Sequence, residues 1–334
     1  MAEILSRDAE TPLGRFYIAA GASCHLTTNS ESILEAAGQA FVEASGRPAD
    51  VDVHFRFWVD PGSSTEPPWP KPYCRGLDDL VFMGLDGQNS LLVDRRTRRA
   101  LGRFSPAMAS DRSYWKAVIF PNLLTLLGPA IRVTGLHCAC VVRDGFGVLL
   151  SGPSGSGKST LTMALVRRGF SFLSDDWTYF SQFEDRLCAW GPITRLKLLP
   201  DAAAFFPELS GFEAGISVNG ERAYEIEPDL QLGLHRSRCC EPRRLIFLDR
   251  SASPAFHLNR MPASEAAANL EEYLLAENAE ALDPQLAIIR RLADQDCWRL
   301  CHGGTPNEVA QKLAAFCGLA EHPVPAVLTG KGLV

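Results

Sequence analysis

The chain has 334 residues, 46% hydrophobic and 22% charged, globular proportions that exclude disordered, fibrous and disulfide-stapled classes. Its length allows about two domains of ordinary size. With Lys plus Arg at 33 against Asp plus Glu at 39, the net charge is -6, which lacks the field that nonspecific nucleic-acid binding needs.

The longest apolar stretches, 123–131 and 141–150, are interrupted by Gly, Pro, Arg or Asp before the roughly 18 residues a bilayer crossing needs. No membrane partner is expected. Residues 1–12 carry Glu3, Asp8 and Glu10 with neither a cationic start nor a sustained apolar run, so no secretory signal is expected. The ten cysteines form no Cys-x-x-Cys pair; the nearest patterns are Cys138-Ala139-Cys140, Cys239-Cys240 and Cys297-x-x-x-Cys301-His302. They read as free thiols in a reducing cytoplasm, with a metal site as the alternative.

In chain order, Ile33, Leu34, Ala37 and Phe41 share one helical stripe, and Ser32 with Glu35 has capping-box spacing, so a short amphipathic helix is expected. Strict alternation over 51–59 predicts a strand that buries Val51, Val53, Phe55, Phe57 and Val59 and leaves Asp52, His54 and Arg56 outside. Five prolines over 61–72 mark an exposed connection. Asp86-Gly87 then reads as a hairpin turn. The run Arg95-Arg96-Thr97-Arg98-Arg99 lies between two short apolar runs and reads as a solvated turn rather than an anion patch. Residues 114–127 are helix-like with Pro121 inside, which predicts a kink or two helices.

Beyond this point apolar strands at 148–150, 170–173 and 245–248 alternate with helical stretches, including 270–282 and 286–292. Thr305-Pro306-Asn307-Glu308 combines an N-cap, a first-turn proline and a capping glutamate, and starts a final helix through Phe316.

The most specific signal is Gly152, Pro153, Ser154, Gly155, Ser156, Gly157, Lys158, Ser159 and Thr160, a full G-x-x-x-x-G-K-[ST] motif between an apolar strand and a helix-like run. Glycines in that order let backbone N–H groups surround a polyphosphate, and the helix that starts at Lys158 turns its positive dipole end toward it. Lys158 reaches the β and γ phosphates and the Ser159 hydroxyl takes Mg²⁺. ATP and Mg²⁺ are the cofactors this motif implies.

Upstream, Asp144-Gly145 joins 141–143 to 146–148 as a two-residue hairpin. That register sets His137 opposite Gly152 at the mouth of the loop, as a catalytic or phosphate-contacting candidate. Downstream, the apolar strand 170–173 leads through Ser174 into Asp175 and Asp176, one helix after Ser159. Strand, loop, helix and returning strand put both carboxylates beside the phosphates, where one can hold Mg²⁺ and the other can take a proton.

This constellation resembles the HPr kinase/phosphorylase catalytic domain, whose phosphate-loop fold is shared with phosphoenolpyruvate carboxykinases. The likeness runs without a gap from His137 through Gly152–Ser159 and Arg167-Arg168-Gly169 to Asp175 and Asp176. It implies an α/β fold with a P-loop kinase domain over 126–334; the residues before it read by themselves as a β-rich N-terminal module over 1–125, unlike the family's usual N-terminal domain and expected to serve substrate recognition. The likeness also implies that His137 assists at the phosphate, Lys158 binds it, Ser159 and Asp175 serve the metal, and Asp176 is the general base.

The family's segment Leu-Glu-Ile-Arg-Gly-Leu-Gly has no counterpart here; the nearest stretch is Ile193-Thr194-Arg195-Leu196-Lys197-Leu198-Leu199. Arg195, Lys197, Arg222, Arg243 and Arg244 are candidate transition-state cations. The expected function is Mg²⁺-dependent transfer from ATP to a serine-type hydroxyl on a peptide or protein partner, such as a ribosomally made peptide precursor. A small-metabolite kinase and a nucleotide-binding regulatory module are the alternatives, and a homo-oligomer is left open.

Overall fold

A computed structural model describes residues 9–183, 186–191, 195–217, 220–252, 255–274 and 279–318. Most of the segment read for a secretory signal, residues 1–8, lies outside these, as do Ile193 and Thr194. The chain divides into two units, 1–134 and 135–334. Among the described residues, no helix is long and apolar enough to cross a membrane.

The first unit holds a sheet of eight described strands, ordered Val42–Glu43, Leu13–Ala19, Ala22–Thr28, Val53–Val59, Arg99–Phe104, Ser90–Asp94, Leu80–Gly84 and Tyr73–Leu77. Val53, Phe55 and Phe57 are buried and His54 and Arg56 exposed, as period-two alternation requires. The strand starts at Val53 rather than Val51 because Asp52 turns its carboxylate to Ser23, accepting from its amide at 2.8 Å and its hydroxyl at 2.7 Å. The helix occupies Glu31–Ala40 and buries Ile33, Leu34 and Ala37. Ser30, not Ser32, is at its N-cap, and no side chain closes that end.

The prolines over 61–72 connect two strands, and both arginine-rich and Asp86-Gly87 segments are hairpin turns. At the first, Asp94 accepts from the Thr97 hydroxyl at 2.7 Å. Pro121 does divide its helix: a wide π-type turn over Trp115–Ile119 precedes the α-helix Phe120–Leu127. Proline has no N–H to donate, and the widened turn absorbs that gap. Trp115 sits there against Phe57, Phe104 and Phe120, with ring centroids 5.4, 4.7 and 5.2 Å away.

The second unit is a mixed α/β structure. Its sheet runs Ser171–Ser174, Cys138–Arg143, Phe146–Ser151 and then the long Cys239–Arg250. That long strand pairs in parallel with Phe146–Ser151 on one side and with Asp296–His302 on the other. The helices Lys158–Val166 and Pro306–Phe316 share a core with Val141, Leu150, Ile246 and Leu300. The final helix is capped as expected: the Thr305 hydroxyl accepts from the Glu308 amide and Glu308 reaches back to the Thr305 amide.

The expected helix over 270–282 is instead the end of one helix, Ala263–Glu271, and the start of another, Ala279–Ala293. The segment 271–279, Glu-Glu-Tyr-Leu-Leu-Ala-Glu-Asn-Ala, has no glycine or proline, so the sequence does not mark the break. All ten cysteines are free. Cys140 and Cys240 lie 3.8 Å apart over Gly147, where a Cβ would meet both sulfurs. No cluster of three or more His, Cys, Asp or Glu suited to a metal occurs among the described residues.

Candidate active site

The site grows from the hairpin. Asp144 and Gly145 have φ of 51° and 82°, so both turn residues are left-handed and the connection is a tight two-residue turn. Its pairs run from Arg143 with Phe146 to Cys138 with Ser151. His137 and Gly152 follow at the open end of this ladder.

Gly152 needs its glycine. Its φ is 146°, and a Cβ would lie 2.8 Å from the Leu248 carbonyl oxygen and 2.9 Å from Ser156 Oγ. The Ser156 amide donates to the Pro153 carbonyl at 3.2 Å, closing the loop as a turn, and Gly157 (φ 94°) hands the chain to the helix Lys158–Val166. Lys158 is buried, and its ammonium donates to the carbonyls of Gly152 at 2.6 Å and Pro153 at 3.2 Å. Burial lowers its pKa, opposed by the charges of Asp176 and Asp175.

The carboxylates arrive on the neighbouring strand. Ser174 pairs with Cys140, which brings residues 175 and 176 alongside 137–139. The Ser174 hydroxyl donates to Thr178 Oγ1 at 2.5 Å, and the Thr178 hydroxyl to the Cys138 carbonyl at 2.8 Å, so the turn carrying both aspartates is tied at its base. The two residues then diverge.

Asp175 is buried; its Oδ2 accepts from the Lys197 amide at 2.9 Å, while Oδ1 has no hydrogen-bond partner. Burial pushes its pKa up to about 7, against the Lys197 amide and the Ser159 hydroxyl. Asp176 has a side chain 68% exposed, and its Oδ1 accepts from His137 Nε2–H at 2.7 Å. Its desolvation acts to raise the pKa, but the His137 bond and the charges of His137, Lys158 and Lys197 outweigh it and hold the carboxyl below its usual value.

A stability prediction follows from Asp175. Its folded pKa is raised, so its contribution is full below the unfolded value near 4 and is lost as pH rises through about 7. Asp175→Asn in the metal-free protein should raise the melting temperature at pH 8 and leave it nearly unchanged at pH 4. A lower Tm at pH 8 would contradict this account of the buried charge.

The candidate cations separate. Arg195 pairs with Glu225 and Glu227, Arg222 donates to the Ala214 carbonyl, Arg243 lies over Phe146, and Arg244 pairs with Asp296. Lys197 is ion-paired to Glu221 at 2.5 Å, and its charge acts at Asp176. Arg167 and Arg168 are held by Glu208 and by the Asn307 carbonyl.

One residue enters the site without having been singled out for it. His302 is buried and donates from Nε2 to the Ser156 carbonyl at 3.1 Å. It ends a strand parallel to Cys239–Arg250, itself parallel to the strand that feeds the loop. The usable signal is that carboxyl ends of parallel strands converge on one edge of a sheet; the Cys301-His302 pattern pointed to metal instead.

Residues 131–197 match the family model described as the HPr Serine kinase C-terminal domain. Among solved structures, the Hpr(Ser) kinase/phosphatase from Coxiella burnetii is similar at 16% identity, over 55% of this chain and 96% of that chain, with a TM-score of 0.30. No curated protein matches significantly. The family-model match spans His137, the glycine loop, Lys158 and both aspartates, and over these residues the chain is similar to the HPr Serine kinase C-terminal domain.

Proposed function

We propose that the protein is a Mg²⁺-dependent ATP phosphotransferase acting on a serine-type hydroxyl of a peptide or protein, with 135–334 as a P-loop kinase unit and the β-rich unit before it delivering the acceptor. The observation that carries the reading is the division of labour between adjacent carboxylates: one buried with an open oxygen, the other exposed and bonded to a histidine.

The residues fit a magnesium nucleotide. Asp175 Oδ1 and Ser156 Oγ are buried polar atoms without partners, and Ser159 stands at the helix start within electrostatic reach of Asp175. Residues 152–160 would surround the phosphates, with Ser159 and Asp175 serving the metal, whose charge neutralises that developing on the phosphoryl oxygens. Lys158 exchanges the Gly152 and Pro153 carbonyls for phosphate oxygens. The acceptor oxygen forms its bond to the γ phosphorus, the bond to the β–γ bridging oxygen breaks with its electron pair leaving on ADP, and the acceptor proton passes to Asp176 Oδ2. Asp176 Oδ1 stays on His137, which orients it, and Lys197 offsets negative charge nearby.

Labelled ATP, Mg²⁺ and the full chain, offered serine peptides and HPr separately, test this. Label on peptide serine is expected; efficient HPr phosphorylation with no peptide product overturns the acceptor assignment, and no transfer to any hydroxyl overturns the kinase reading. His302→Ala should raise the KM for ATP about fivefold, the worth of one hydrogen bond of about 1 kcal/mol, with a smaller change in kcat. An unchanged KM would remove His302 from loop positioning.

A further inference from the structure

The ring of His137 has two aromatic neighbours. Trp177 lies with its centroid 6.0 Å away, tilted by 45°, and Tyr273 meets it edge-on at 5.4 Å and 69°. They come from different parts of the unit: Trp177 from the turn that carries both aspartates, Tyr273 from the end of the helix Ala263–Glu271, where its amide donates to the Leu270 carbonyl at 3.2 Å. Both side chains are half-buried, so each keeps an open surface beside the His137–Asp176 pair.

A Cβ on Gly135 would sit 3.1 Å from Tyr179 Cε1 and 3.4 Å from Trp177 Cε3, so glycine lets both rings approach the backbone closely. Like that of Trp58, the Trp177 N–H differs from those of the other four tryptophans, all of them among the described residues. The indoles of Trp69, Trp115, Trp190 and Trp298 donate to Asp111, the Met108 carbonyl, Ser181 and Asp296. That of Trp177 has no protein acceptor and is not sealed from solvent.

Resting on the kinase reading, we infer that Trp177 and Tyr273 wall the acceptor subsite, and that this subsite takes a serine flanked by apolar residues in a peptide rather than a small hydroxylated metabolite. The two ring faces accept an apolar side chain next to the serine, and the open indole N–H meets a peptide carbonyl. A sugar or hydroxy acid requires several hydrogen-bonding or cationic groups around its hydroxyls and carboxylate. Among the described residues, His137 instead makes its one hydrogen bond to Asp176 and its ring contacts to two uncharged aromatics.

The test compares three acceptors with the full chain: acetyl-Gly-Phe-Ser-Leu-Gly-amide, acetyl-Gly-Gly-Ser-Gly-Gly-amide and free L-serine. Trp177→Ala should raise the KM for the Phe/Leu peptide at least about tenfold, more than it lowers kcat, and shift the KM for the glycine peptide far less. Tyr273→Ala should act in the same direction, and Trp177→Phe should restore most of the loss. Equal effects on both peptides, or wild-type preference for L-serine over the Phe/Leu peptide, overturn the subsite. Direct binding of the same peptides, followed by calorimetry, separates the two readings. If wild type binds the Phe/Leu peptide, and Trp177→Ala loses it, while no phosphate is transferred, the kinase reading fails and the subsite stands. Peptide binding indifferent to Trp177→Ala removes the subsite whatever the kinase result.

Discussion

Replacing Lys158 by alanine is expected to abolish phosphoryl transfer, a loss of about 10³-fold or more, the scale of removing a preorganised charge that meets the developing negative charge. Lys158 is the only cation of the loop, is buried, and rests on the loop's own carbonyls at Gly152 and Pro153. An ammonium held there has lost much of its hydration, so its exchange onto phosphate oxygens costs less reorganisation than it would in water. Ser159→Ala should separate from it: the magnesium requirement rises while the loop keeps its shape. Calorimetry that finds unchanged MgATP affinity in both Lys158→Ala and Ser159→Ala would sink the assignment of this loop to nucleotide, whatever the fold around it.

Asp176→Asn should lower the transfer rate by about 10²-fold or more, the scale for a positioned general base, while keeping most of the nucleotide affinity. Asp176 is exposed and bonded to His137, so the isosteric amide removes basicity with little change in packing. Its depressed pKa keeps it ionised at neutral pH. Such a carboxylate is a weak base, and it suffices because a loose phosphoryl-transfer transition state calls for proton acceptance late, when the acceptor oxygen has become acidic. His137→Asn combined with Asp176→Asn should cost less than the product of the two single losses, because the pair acts as a unit. If Asp175→Asn is the crippling change and Asp176→Asn is mild, the roles of the two carboxylates are exchanged.

What could be read directly from the sequence was local. The two-residue Asp144-Gly145 turn sets the hairpin register over only a few residues, and that register carries His137 to the mouth of the loop. Alternation over 53–59, the capping box at Thr305 and the break at Pro121 are likewise properties of neighbouring residues. Tertiary structure decided the rest. Two adjacent aspartates look alike in sequence; one is buried and met by the Lys197 amide from a strand 22 residues on, and the other stays in solvent. The same strand brings the Lys197 charge to Asp176. His302 reaches the loop through two parallel strand pairings, and Tyr273 reaches His137 from the turn after a helix far along the chain. Parallel strands are joined by crossovers rather than tight turns, so no short motif sets their register; it is chosen when the faces of strands and helices pack into one core, and only then do residues so far apart become neighbours.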